Sequence, residues 1–198
     1  MQTLKYFIEK GIAKADCKSL QLFNEACSNF TDYKDMVPTK FIEAVWTNYL
    51  KLPKRNNTLN GTVFELIIIA LLINKGIKPF YRQASVAFVP GIKYDILIYS
   101  KEGPIVLSAK TSLRERFKQA DLEAFVLKNV HRNAKSYLIT LEKNEAATRI
   151  RNKNNLIGLE NVYCCLNEDF NEFIASLISM KFIEPKPVKV ITNGCVIK

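Results

Sequence analysis

The spacing of apolar positions changes character twice along the chain. Up to residue 51 it is helical, in three pieces over roughly 2–12, 17–31 and 39–51, with Gly11 and Val37-Pro38 as breaks. Residues 62–75 are then almost uniformly apolar around one charge, Glu65, and end at Gly76, which predicts a strongly apolar helix closed by glycine. From there the pattern turns extended. Residues 78–89 read as a strand pair or one long bent strand leading into the Pro90-Gly91 turn. Residues 93–100 and 104–110 are β-branched runs joined by Lys101-Glu102-Gly103, which predicts two antiparallel strands and a tight turn. Farther on, strands over 135–141 and 161–166 alternate with helices over 142–153 and 168–180. That alternation predicts parallel additions to the same sheet, with 187–196 as an edge strand. The expected fold class is α/β, a three-layer α/β/α sandwich on a central mixed sheet. The 198 residues suit one domain, with a helical part over 1–60, a core over 61–142 and strand and helix additions over 143–198.

Polar groups interrupt the two central strands. Side chains alternate faces along a strand, so Ser108 and Lys110 point the same way, and a paired neighbouring strand can bring Asp95 to that side. The next segment, Ser112-Leu113-Arg114-Glu115, has the form of a capping box and predicts a helix from about Leu113. Leu113, Phe117, Ala120, Ala124 and Leu127 recur at spacings of four and three, one apolar stripe packing on the sheet. Arg116, Gln119 and Glu123 form a polar strip along its border, which places Glu123 to lean toward Asp95 and Lys110.

An acid on one strand and acid-x-Lys on the next is the signature of the PD-(D/E)xK nucleases, which include most type II restriction endonucleases, and residues 60–127 resemble that family. Tyr94-Asp95 stands where Pro-Asp is usual, and Ser108-Ala109-Lys110 has serine in place of the second acid. In this the chain is similar to a subgroup of restriction endonucleases with Ser or Thr at that position and a displaced Glu on the following helix. Twelve residues separate Lys110 from Glu123, in keeping with that spacing. The resemblance implies a restriction-endonuclease-like fold and Mg²⁺ as cofactor, held by Asp95, Glu123 and the backbone carbonyl of Ala109. It assigns Lys110 to the attacking water and the charge that develops on phosphorus, and Ser108 to a supporting hydrogen bond. Glu65 stays open between two readings. Thr62-Val63-Phe64-Glu65 fits a capping box, whereas a Glu on the helix before the core strands often sits near the metals in this family.

Charge points to the same class of partner. There are 29 Lys+Arg against 19 Asp+Glu, a net +10 and a pI near 9.4. This favours a polyanion, because neutralised phosphates release counterions. Double-stranded DNA is the expected partner. Arg114, Arg116 and Gln119 are candidates for phosphate or base-edge contacts, with a solvated helix face as the competing reading. The basic loop over 51–61 divides the same way.

Five cysteines, at 17, 27, 164, 165 and 195, form no CxxC and pair with no histidine, which argues against a zinc site and a disulfide framework and fits a reducing cytoplasm. The first residues show no signal-peptide core, and the apolar run over 64–73 is too short to cross a bilayer, so no membrane is expected. His131, the sole histidine, reads as a helix C-terminal cap, which disfavours His-dependent nucleases. Seven glycines form neither GxxxxGK nor GxGxxG, which removes support for nucleotide-driven enzymes. The expected function is that of a Mg²⁺-dependent type II restriction endonuclease acting as a homodimer on a short duplex sequence, with a cognate DNA methyltransferase as genetic partner. A structure-specific repair or junction-resolving nuclease on the same core, and a non-catalytic DNA-binding module, are the alternatives.

Overall fold

A computed structural model describes residues 2–53, 55–151, 155–185 and 191–198. The chain divides into two units, one of Met1–Ile77 with Cys165–Ile178 and one of Lys78–Cys164 with Ser179–Lys198.

The first unit is helical. Its elements are α1 (Thr3–Glu9), α2 (Lys18–Ala26), a 3₁₀ turn (Phe30–Tyr33), α3 (Pro38–Leu50) and α4 (Asn57–Asn74), joined from far along the chain by α7 (Glu168–Ile178). The second predicted helix, over 17–31, therefore ends early: Cys27 leaves helical geometry at φ −151°, and a separate turn follows. The centre of the unit is α4, buried at every position from Val63 to Leu72 and packed by α2, α3 and the 3₁₀ turn. By length and hydropathy alone α4 could cross a bilayer, and 61% of it is buried within the protein. It begins five residues before the predicted start, because Asn56 accepts from the Leu59 amide at 2.9 Å and takes the capping role. The box at Thr62 does not form: Thr62 Oγ1 donates to the Thr58 carbonyl within the helix, at 3.1 Å. Gly76, at φ +69°, lies just past the helix end as expected. Docking of α7 depends on a polar contact. Val37, at the start of α3, provides no side-chain cap, and Asn171 Oδ1 of α7 accepts from the Thr39 amide at 3.0 Å instead.

The second unit is built on a six-stranded sheet in the order β5-β4-β3-β2-β1-β6. Its strands are β1 (Phe80–Val86), β2 (Tyr94–Tyr99), β3 (Pro104–Lys110), β4 (Lys135–Thr140), β5 (Asn161–Cys164) and β6 (Ile191–Ile197), with helices α5 (Arg114–Val130) and α6 (Lys143–Arg151). β1, β2 and β3 form an antiparallel meander, β6 pairs antiparallel with β1 at one edge, and β4 and β5 add in parallel beyond β3. The sheet is mixed, as the alternation of elements predicted, and β3 is the strand where its direction changes. The 78–89 segment contains one strand with an irregularity at Gln83, whose φ is +49°. Residues 187–190 of the predicted edge strand, and 152–153 of the predicted helix over 142–153, lie outside the described residues.

Every member of the predicted stripe on α5, namely Leu113, Phe117, Ala120, Ala124 and Leu127, is buried. This helix begins within one residue of the expected start, but its cap corrects the sequence reading. No side-chain cap forms there, and Leu113 occupies the capping position itself. Its amide donates to Glu145 Oε2, on the first turn of α6, at 3.0 Å, so a carboxylate distant in sequence fills the role expected of Ser112. Three further attachments fix the rest of α5. The Asp121 carboxylate, buried at 4% exposure, accepts from the amides of Ile157, Gly158 and Leu159 at 2.9–3.1 Å. Gly158 lies so close to the helix that a Cβ there would stand 2.0 Å from the Phe125 nitrogen. Lys128 pairs with Glu160 at 2.5 Å.

Candidate active site

β2 and β3 pair from Tyr99↔Pro104 to Ile96↔Leu107. β3 continues against β4 on its other side as far as Lys110↔Thr140. Asp95 sits one residue past the last β2–β3 pair, where its side chain takes over from the backbone ladder. Asp95 Oδ2 accepts from the Ala109 amide at 3.0 Å and from Lys110 Nζ at 2.7 Å. Both side chains of the ion pair are 14% exposed. A pair this sheltered has little water to replace a lost partner, so the further hydrogen bonds on Asp95 matter to its place.

Gln83 completes the arrangement around Asp95. Its Nε2 donates to Asp95 Oδ1 at 3.3 Å, across from β1. The positive φ of Gln83 is uncommon for a residue with a side chain, and it coincides with the skip in pairing between Arg82↔Ile96 and Ala84↔Tyr94. A carboxylate offers about four acceptor positions. Oδ2 uses two of them and Oδ1 accepts one long bond, so the acceptor capacity left on Asp95 is on Oδ1.

Ser108, 5% exposed, is buried on β3 beside this pair. Ala109, also 5% exposed, lies between it and Lys110. Glu123 is half-buried on α5, and its Oε1 accepts from Gln119 Nε2 at 2.8 Å. A tyrosine links it to β2: Tyr94 Oη donates to the Glu123 backbone carbonyl at 3.2 Å. Tyr94 is 1% exposed, and burial, with the Glu123 charge adding to it, pushes the phenol far above its ordinary pKa. Its hydroxyl therefore remains a donor. Arg114, Arg116 and Gln119 are exposed on α5, with Gln119 already engaged by Glu123. Glu65 lies in the other unit, in the interior of α4 at 7% exposure, with a polar interaction of its own. His131 is the C-terminal cap of α5, its amide donating to Leu127 O at 2.7 Å.

Among the described residues no three His, Cys, Asp or Glu side chains gather into a metal cluster. The predicted ligands, the carboxylates of Asp95 on β2 and Glu123 on α5 and the Ala109 carbonyl on β3, are all hard oxygens. That set fits Mg²⁺, which keeps waters and is held by one or two carboxylates plus substrate phosphate, and it does not suit a metal needing a full protein cage. The hydrogen-bonding roles of Gln83, Tyr94, Asp121 and Glu145 were missed by the sequence reading. Nothing in their local sequence says which partner each one finds.

No protein-family model matches the sequence, and no curated protein is significantly similar to it. Two solved structures are. One is the restriction endonuclease PspGI in complex with substrate DNA, with a TM-score of 0.63 and 15% identity over 88% of this chain and 85% of that one. The other is the type IIP restriction endonuclease Kpn2I, with a TM-score of 0.56 and 16% identity over 85% of this chain and 74% of that one. With its mixed six-stranded sheet and flanking helices, the chain has the restriction-endonuclease-like fold.

Proposed function

We propose that this protein is a Mg²⁺-dependent DNA endonuclease of the type II restriction class, of the subgroup in which Ser108-x-Lys110 on the strand is complemented by Glu123 on the helix. The observation that carries this reading is the Asp95–Lys110 pair at 2.7 Å, with the Ala109 amide on the same carboxylate oxygen, at the end of two central strands of this fold. The net charge of +10 and the DNA bound to PspGI support DNA as the substrate. The function of PspGI and Kpn2I supports the restriction class by analogy of fold.

Asp95 through Oδ1, Glu123 and the Ala109 carbonyl would hold Mg²⁺. When bound, the ion lowers the pKa of a coordinated water and polarises the scissile phosphate. Lys110 is anchored by Asp95, so its ammonium is fixed in place before substrate arrives. From there it orients the attacking water and offsets the negative charge that builds on the phosphoryl oxygens in the transition state. Gln83 and the Ala109 amide keep the Asp95 carboxylate from rotating. Arg114 and Arg116, exposed at the start of α5, contact phosphates or base edges.

A non-catalytic DNA-binding module is the competing reading, favoured by Ser108 at the second acid's place and by the missing three-group cluster among the described residues. Incubation with plasmid and phage DNA in Mg²⁺, with EDTA and Asp95→Ala as controls, separates the two. Discrete Mg²⁺-dependent fragments are expected. Binding without cleavage would select the binding module, and cleavage of branched DNA in preference to linear duplex would select a resolving nuclease. A DNA methyltransferase that protects DNA from the same cutting is the expected genetic partner.

A further inference from the structure

We propose that Tyr94 is a positioning residue for Glu123. Its hydroxyl fixes the turn of α5 that bears the second carboxylate, and its backbone neighbour is the residue that bears the first. The inference rests on the assignment of Asp95 and Glu123 to one metal site.

Three observations lead to it. First, Tyr94 occupies the position immediately before Asp95 on β2 and is 1% exposed, so its ring is as firmly held as the strand itself. Second, its hydroxyl does not reach an arbitrary acceptor. At 3.2 Å it donates to the carbonyl of Glu123. A helix carbonyl has two lone pairs and gives one to the amide four residues on, so it can take the phenol as well without breaking the helix. Third, the hydrogen bonds and ion pair that fasten α5 elsewhere lie on either side of Glu123 and run to α6 and to residues 157–160, while Leu127 packs in the same apolar cluster as Tyr94 and Leu97. Glu145 holds Leu113, Asp121 holds the amides of 157–159, and Lys128 pairs with Glu160. Tyr94 ties the Glu123 turn to the strand of Asp95.

Phenylalanine would fill the same buried volume. What the hydroxyl adds is direction, setting the height of the Glu123 backbone relative to Asp95. Two ligands on different elements bind one ion well only if their separation is held to within about 0.5 Å. A single hydrogen bond from one ligand's neighbour to the other ligand's own carbonyl is a short path by which the fold could set it.

The test uses Mn²⁺ alone as the probe, its free concentration read by electron paramagnetic resonance on the full chain. Tyr94→Phe is expected to weaken Mn²⁺ binding about fivefold to tenfold, the scale of one uncharged hydrogen bond. In a Glu123→Ala background the same substitution is expected to have no further effect on Mn²⁺. Equal losses in both backgrounds would overturn the proposal, since a general packing defect acts regardless of Glu123. So would wild-type affinity in Tyr94→Phe, or failure of Tyr94→Phe to fold, which would assign the hydroxyl to the scaffold. The metal-site assignment itself is tested separately by Asp95→Ala and Glu123→Ala. If both bind Mn²⁺ like the wild type, that assignment fails, and the role of Tyr94 with it.

Discussion

The amide of Ala109 donates to the Asp95 carboxylate at 3.0 Å, beyond the last backbone pair between β2 and β3. A side chain thus continues the ladder at the place where Lys110 joins it at 2.7 Å. Because Asp95 would keep the Ala109 amide and Gln83 after loss of the lysine, Lys110→Ala is expected to fold, with a stability loss of about 1–3 kcal/mol. Cleavage should fall by at least ~10² while DNA affinity is largely kept. Single-turnover cleavage and filter binding on the same preparation check this. Unchanged cleavage would remove the site assignment.

Glu123 and Ser108 can be separated by two single substitutions. Glu123→Ala is expected to abolish Mg²⁺-dependent cleavage, since one carboxylate leaves the ion under-coordinated, whereas Ser108→Ala should be mild. Adding Ser108→Glu to Glu123→Ala restores an acid two residues before Lys110 and should recover part of the activity. Full recovery is not expected, because a misplaced ligand can cost ~10²-fold. A dead Ser108→Ala beside an active Glu123→Ala would show that the second ligand belongs to the strand.

Assembly is tested by mass in solution. One set of site residues makes one nick, so cutting both strands of a symmetric sequence calls for a matching two-fold dimer. Light scattering should give twice the chain mass for the free protein, and two chains plus one duplex for the complex. A monomer under both conditions would refute a homodimer.

Asp121 offers a test of the scaffold. Its carboxylate holds three backbone amides in a setting 4% exposed, so Asp121→Ala leaves buried donors without a partner. The expected loss is about 3 kcal/mol or more, read as a lower urea midpoint with an unchanged slope. A midpoint equal to that of the wild type would mean that water replaces the carboxylate without cost.

What the sequence revealed, and what it hid, follows the range of the interactions. The apolar stripe on α5 was legible because its members repeat at fixed spacing, and all of them are buried. The meander and the parallel additions were legible from the run lengths between turns. The start of α4 and the cap of α5 were misread for related reasons. Ser112 and Thr62 each open a locally plausible box, but Asn56 caps α4 earlier, and the cap for α5 comes from Glu145, distant in the chain. Gln83 and Tyr94 act across strands and onto a helix, and no local pattern encodes such partners. The Asp95–Lys110 contact was legible because strand alternation limits which polar groups can meet.

Gly158 has a consequence for how the site can move. A Cβ there would collide with the α5 backbone at Phe125, so helix and loop touch without any side chain between them to yield. Together with the clasp at Asp121, this leaves α5 no room to approach the loop and little freedom to slide along its own axis. The position of Glu123 is then bounded from two sides, by backbone contact at the loop and by the Tyr94 hydroxyl on its carbonyl. Even an alanine at 158, which touches none of the proposed ligands, would act as a wedge that shifts the height of Glu123.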